Sequence, residues 1–207
     1  MKQRFEIILA SASPRRRELL TQAGLEFRVM TADTDETTAE TEPAKVVEEL
    51  SLRKAMGVYR ALKEQGMPDA AGAGCGKGLV IVAADTVVSV DGMILGKPEN
   101  TRRAVEMLGS LSGRTHSVYT GVTLVYVDKN EEKTGRTVTF SECTKVTFYQ
   151  LSNEEIEEYV ATGEPMDKAG AYGIQGLGVE LVEKIDGDYN NVVGLPLARV
   201  LREMKKL

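Results

Sequence analysis

The chain has 207 residues, 42% hydrophobic and 28% charged, which describes an ordinary globular protein of one domain or of one domain with a pronounced second lobe. Its formal net charge of -5 weighs against a surface built to grip a nucleic acid polymer. Two distant cysteines and a single histidine exclude a disulfide scaffold and the common zinc and histidine-rich sites, so any metal would be a hard cation held by carboxylate and phosphate oxygens.

Residues 5–10 read as a buried strand running at once into a helix over 14–22, with Ser11 or Ser13 as N-cap and Pro14 at N1. Arg15, Arg16 and Arg17 crowd the first turn, where free N–H groups and the helix dipole already favour anions. Three guanidinium groups there suit a strongly negative ligand such as a polyphosphate; the alternative is a solvated face. The apolar run before them is too short for a signal peptide and no stretch approaches a membrane span, so a cytoplasmic protein with no membrane partner is expected. A short strand over 26–30 leads to an acid-rich loop over 31–41 that holds Asp33, Asp35 and Glu36. Pro43 opens a helix with Val46, Val47, Leu50, Leu52, Val58, Tyr59 and Leu62 spaced for one apolar face, and with Lys54 late in it. The Gly- and Ala-rich stretch 66–78 reads as a flexible connection.

Residues 79–84 carry the strongest central-strand signal, apolar on both faces as in a mixed sheet covered by helices. That strand is expected to deliver Asp85 to its C-terminal end, where open α/β sheets bind ligands. There Asp85 would activate a water, help hold a divalent cation, or simply close the strand with an Asx turn. The acids of the 31–41 loop would repel a triphosphate unless a metal lay between them. Residues 87–90 continue or re-enter the sheet before a turn at Asp91-Gly92, and a helix covers 101–108. Two long antiparallel strands over 117–127 and 136–148 flank a polar loop. Ser152 caps a helix with Glu155 at the capping-box position, and a strand over 179–185 and a helix from about 195 to 204 follow. The sum is a mixed α/β chain whose strand order the pattern leaves open.

Lys97, in the turn Gly96-Lys97-Pro98, and Lys168 read either as surface charge or as phosphate contacts. His116 is expected to pack or cap at a strand start, with a general base as the alternative. Gln175 is the one residue of the glycine-dense loop 173–178 able to donate and accept at once, as reading an amide-like base edge requires, unless it bonds its own backbone. Neither GxxxxGK[ST] nor GxGxxG occurs, so the P-loop and the usual dinucleotide fingerprint are absent.

Five stretches, in order, resemble the Maf family of nucleoside triphosphate pyrophosphatases. They are Leu9-Ala10-Ser11-x-Ser13-Pro14-Arg15-Arg16, Ala84-Asp85-Thr86-Val87-Val88, Leu95-Gly96-Lys97-Pro98, the run from Gly163-Glu164-Pro165 to Gln175-Gly176, and Asn191-Val192-Val193-Gly194-Leu195-Pro196. The resemblance implies an α/β fold over 1–207, an elongated two-lobed molecule with a long mixed central sheet, inosine-triphosphate-pyrophosphatase-like, and a central cleft. It implies hydrolysis of dTTP and UTP to the monophosphate and pyrophosphate, with Mg²⁺ or Mn²⁺, and a homodimer as the expected assembly. Asp85 falls on the family's proton acceptor, while Arg15, Thr86 and Gln175 fall on the positions that sort base preference. Glu36 matches an acid tied to activity and metal binding, so Glu36 and Asp85 are the expected metal contacts. Ser11, Ser13, Arg15, Arg16, Lys54 and Lys97 are assigned to the phosphates. The alternatives are a house-cleaning pyrophosphatase of broader or modified-nucleotide preference and a nucleotide-binding regulator of septum formation. Two stretches, 72–78 and 129–133, are longer than in compact members and are expected outside the cleft.

Overall fold

In the computed structural model, which describes residues 3–65, 78–128 and 133–207, the apolar run at the centre of the sequence becomes the axis of a mixed sheet. The elements in chain order are β1 (Glu6–Leu9), α1 (Pro14–Gln22), β2 (Arg28–Val29), α2 (Pro43–Gln65), β3 (Gly78–Val90), β4 (Met93–Leu95), α3 (Thr101–Leu111), β5 (Thr115–Asp128), β6 (Lys133–Phe148), α4 (Asn153–Ala161), β7 (Val182–Asp186), α5 (Tyr189–Val193) and α6 (Leu197–Met204). Three 3-10 turns, Glu164–Asp167, Ala169–Ala171 and Gly176–Leu181, link α4 to β7. The sheet order is β2-β1-β3-β5-β6-β7, with β4 beside β3. β1 runs parallel to β2 and β3; the other pairings are antiparallel. This is the mixed α/β class expected.

Successive side chains of a strand point to opposite faces, and β3 uses both. Val80, Val82 and Ala84 pack with Ile7, Leu9, Leu19, Leu20 and Val200, beneath α1 and α6. Ile81 and Ala83 pack with Ala55, Val58 and Leu62 of α2 on the opposite face. Val88 and Val90, further along the first face, belong to a second core with Leu108 and Leu111 of α3 and Ile156 and Tyr159 of α4. Two helical layers therefore share one face of the sheet. Fully buried residues such as Ile81 and Leu124 each contribute on the order of 2 kcal/mol through burial.

β3 does not end at Asp85, as expected from sequence; it runs on to Val90, and Asp85 lies in mid-strand. The strand runs through Asp85 and Thr86 because β5 pairs with it from Gly78–Asp128 to Ser89–Ser117, and because both side chains find polar partners. The opposite edge is discontinuous. β1 pairs with β3 only as far as Val82, and β4 begins pairing at Val88. Among the described residues no strand covers the edge between them, and that gap positions the site.

Gly121 of β5 lies opposite Asp85 in register. A Cβ there would come within 2.2 Å of the Val47 carbonyl oxygen, so the backbone of α2 rests directly on the sheet. Ser51 of α2 and Thr123 of β5 share a buried hydrogen bond (3.0 Å) in the same seam.

The capping box at Ser152 and Glu155 forms as read. Leu52 is exposed and does not belong to the apolar face of α2. Residues 176–181 form a 3-10 turn where strand was expected to begin at 179. β6 starts inside the expected polar loop, at Lys133. The connection over 66–77 and the loop segment 129–132 lie outside the described residues, and with them the expectation that these stretches avoid the cleft. No helix among the described residues is long and apolar enough to cross a membrane.

Candidate active site

The gap in the β3 edge opens into a cleft of about 1100 Å³ lined by residues of α1, α2, β3 and the 3-10 turns after α4. Ser11, Ser13, Arg15, Arg16, Glu36, Lys54, Asp85, Thr86, Lys97 and Gln175 all line it. Every residue singled out for the site, drawn from positions up to 164 residues apart, is thus brought to one cavity.

Strand alternation sends Asp85 toward α2 and Thr86 toward α1. Lys54, midway along α2 rather than late in it, meets Asp85 with Nζ 2.5 Å from Oδ1 and Glu36 at 2.8 Å from Oε1. Lys54 and Asp85 are largely shielded, whereas Glu36 approaches from the solvent side. The hydrogen bond from Lys54 holds the Glu36 carboxyl below the usual carboxylate range, against the opposing effect of burial and with help from the charges of Lys54, Lys97 and Arg16.

Thr86 enters a different network. Arg16 donates from Nε to the Gly194 carbonyl (2.8 Å), from Nη1 to Ser11 Oγ (3.0 Å) and from Nη2 to Thr86 Oγ1 (3.0 Å). Behind it Thr86 and Thr120 share a hydroxyl contact (2.9 Å), and Thr120 donates to the Asn191 carbonyl (2.9 Å). Burial lowers the pKa of Arg16 and the charge of Asp85 opposes that shift. Arg16 still has N–H groups beyond these three bonds, since guanidinium carries five donors. It therefore braces Ser11, Thr86 and Gly194 while facing the cleft.

The N-terminus of α1 is open. Ser13 holds the N-cap position without a side-chain cap, and its N–H donates to Ser11 Oγ (3.3 Å). Arg15 extends across the cleft to Asp167, Nη1 to Oδ2 at 3.3 Å. Gln175 precedes the 3-10 turn Gly176–Leu181 but does not cap it with its side chain, so the self-bonded alternative is not adopted.

Two other readings are resolved by geometry. Asp35 accepts hydrogen bonds from the Thr37 N–H (2.8 Å) and hydroxyl, which lower its pKa and make it a turn-former. His116 is buried away from the cleft, bonded through Nε2 to the Tyr172 hydroxyl (2.7 Å) and edge-on to Phe148. Burial pushes its pKa down to about 4, so it is a packed neutral ring. Sequence reasoning gave no site role to Tyr172, Ile174 and Asn191, although they lie in the matched stretches, nor to Thr120; Tyr172 and Ile174 line the cleft, and Thr120 and Asn191 brace it.

The cleft lining carries five basic residues (Arg15, Arg16, Lys54, Lys97, Lys168) and five acidic ones (Asp33, Asp35, Glu36, Asp85, Asp167). That balance alone does not neutralise a triphosphate. Glu36 and Asp85 already converge on one cationic point, the Lys54 ammonium, and their oxygens are the hard donors a divalent cation prefers. No cluster of three or more metal-ligating side chains occurs among the described residues. A two-carboxylate set fits Mg²⁺ or Mn²⁺ arriving with phosphate oxygens and water, rather than a cage built by protein alone.

The family model described as Maf-like protein matches residues 6–207. A dTTP/UTP pyrophosphatase of Agathobacter rectalis is 50% identical over 202 residues, covering 98% of this chain and 97% of its own. A dTTP/UTP pyrophosphatase of Bacillus cytotoxicus is 47% identical, covering 97% and 95%. A HAM1 protein from Coxiella burnetii shares the fold, with a TM-score of 0.53 at 15% identity over 98% of this chain and all of that one.

Proposed function

The chain belongs to the Maf family, and from that premise we propose that it hydrolyses dTTP and UTP to the nucleoside monophosphate and pyrophosphate. The observation that carries this reading is the convergence of Asp85, Glu36, the basic residues and Gln175 on one cleft of about 1100 Å³. The names of the two relatives support the choice of dTTP and UTP.

In this reading the nucleotide lies with its phosphates near α1 and Lys97, and with its base toward Gln175. Arg15, Arg16, Lys54 and Lys97 offset the phosphate charge, and Ser11, Ser13 and the free N–H groups of α1 complete the cradle. Water attacks the α phosphorus, the P–O bond to the β phosphate breaks, and pyrophosphate departs with the bonding pair. Asp85 takes the proton that the water gives up. Lys54 fixes one oxygen of that carboxylate, leaving the second as acceptor. A divalent cation, Mg²⁺ or Mn²⁺, held by Glu36 and Asp85 would neutralise the polyphosphate. Gln175 offers both a donor and an acceptor to the pyrimidine edge, and Arg15 and Thr86 shape its surroundings. The cytoplasm, where such triphosphates are made and used, is the compartment this activity suits.

The test is pyrophosphate release from UTP and dTTP in Mg²⁺, with D85N alongside. The wild type should turn over both, and D85N should fold normally while losing turnover by roughly 10²-fold or more. Absence of pyrophosphate from either pyrimidine nucleotide would refute the activity. Full turnover by D85N would remove Asp85 from its role.

A further inference from the structure

We infer that Glu164 and Tyr159, neither of which lines the cleft, clamp the loop that carries Gln175 and are positioning residues for base recognition; the recognition part rests on the pyrophosphatase reading above. Tyr159 projects from α4 and is buried. Its hydroxyl donates to Glu164 Oε1 (2.9 Å) and accepts the Gly173 N–H (3.2 Å). Glu164 Oε2 accepts the Leu177 N–H (3.1 Å) and Oε1 accepts the Gly178 N–H (3.3 Å). The backbone is thus tied down two residues before Gln175 and two and three residues after it, by one hydroxyl and one carboxylate in contact.

Apolar burial does not offer an equivalent anchor on the far side of Gln175. Leu177 and Val179 are 58% and 57% exposed. Gly176 has φ +66°, and a Cβ there would sit 2.7 Å from Glu164 Oε2, so the loop wraps closely on the carboxylate. The clamp needs an ionised acid, because three donors face it and an ionised carboxylate only accepts. Burial pushes the Glu164 carboxyl up, but the Leu177 N–H, the Tyr159 hydroxyl, the Gly178 N–H and the charge of Lys168 outweigh it and hold the group below its ordinary range. In E164Q the amide NH₂ must face one of these donors. Y159F deletes the hydroxyl that joins the two halves of the clamp.

The experiment compares wild type, E164Q and Y159F by pyrophosphate release from UTP and from ATP, and by amide hydrogen exchange over 173–178. Each variant should lose roughly 10-fold in kcat/KM for UTP, mostly through KM, with the ATP value unchanged, so that the UTP-to-ATP ratio falls by the same factor. Protection of the Leu177 and Gly178 amides should fall with it. In a Gln175→Ala background E164Q should alter the ratio by less than about twofold, because the residue it positions is gone. Exchange that stays at the wild-type level in both variants overturns the clamp. Lost protection with an unchanged nucleotide ratio, or a full further loss in the Gln175→Ala background, overturns its role in base recognition. Y159F decides the matter if E164Q fails to fold. A wild type that treats UTP and ATP alike sinks the substrate reading instead, while the exchange measurement still judges the clamp.

Discussion

Asp85 and Thr86 are neighbours in sequence that leave β3 in opposite directions, one to Lys54 and the other to Arg16. Two adjacent polar residues in a buried strand therefore couple α1 and α2 to the same point of the sheet. His116 shows the contrasting outcome, a titratable group with no access to the cleft. Its Nδ1 is buried without a partner among the described residues, and burial lowers its pKa to about 4 from 6.5. The unfolded chain takes up this proton as pH drops below 6.5, while the folded chain resists until about 4. The neutral ring's contribution is therefore complete above pH 6.5 and lost as pH falls toward 4, by up to about 3 kcal/mol. Urea unfolding of wild type and H116N from pH 7.5 to pH 4 should show the gap between them narrowing toward acid. A gap that stays constant over that range would contradict the account.

α2 reaches Asp85 only because Gly121 allows its backbone onto β5. In G121V the added side chain would meet the Val47 carbonyl, which as backbone in a helix cannot rotate away. The helix must lift, carrying Lys54 with it, and overpacking of this kind costs about 1–3 kcal/mol. G121V should therefore melt several degrees lower and lose turnover beyond what its folded fraction explains. Wild-type kcat in the folded protein would show that the seam does not position Lys54. The elements legible in sequence were those with strong local signals: the apolar run of β3, the proline-led α1 and α2, and the capping box of α4. Strand order was not legible, because the pairing of β1 with β3 joins residues more than seventy positions apart and has no periodicity. The 3-10 turn at 176–181 was hidden for a related reason. Val179 and Leu181 favour strand locally, but tertiary bonds to Glu164 fix the backbone before them. Arg15, Lys97 and Gln175 stood out as polar groups near proline or glycine and Asp85 as the acid after an apolar run, whereas Glu36, Lys54 and Thr86 were assigned through the family resemblance, and the partners across the cleft were not readable. Arg16 with Gly194 and Arg15 with Asp167 are products of the fold alone.

At the scale of the molecule, the two cores approach each other across the cleft, and the Arg15–Asp167 pair spans it. Arg15 belongs to α1 over the first core, and Asp167 to a 3-10 turn packed near the second. A triphosphate entering the cleft competes with Asp167 for Arg15. The acid has a second partner, Lys168 Nζ at 2.8 Å, and Lys168 is also held by the Glu164 carbonyl at 2.6 Å. Losing the acid should thus leave the loop largely in place while freeing Arg15. An ion pair this exposed is worth at most about 1 kcal/mol, which limits the gain in nucleotide affinity to roughly fivefold. D167N should lower KM for UTP by about 2–5-fold at low ionic strength, and the advantage should shrink as salt screens the cleft. Its melting temperature should remain close to that of the wild type. A KM that rises, or an effect indifferent to salt, would mean that Asp167 orients Arg15 for the nucleotide instead of competing for it, and that the unliganded contact is already the productive one.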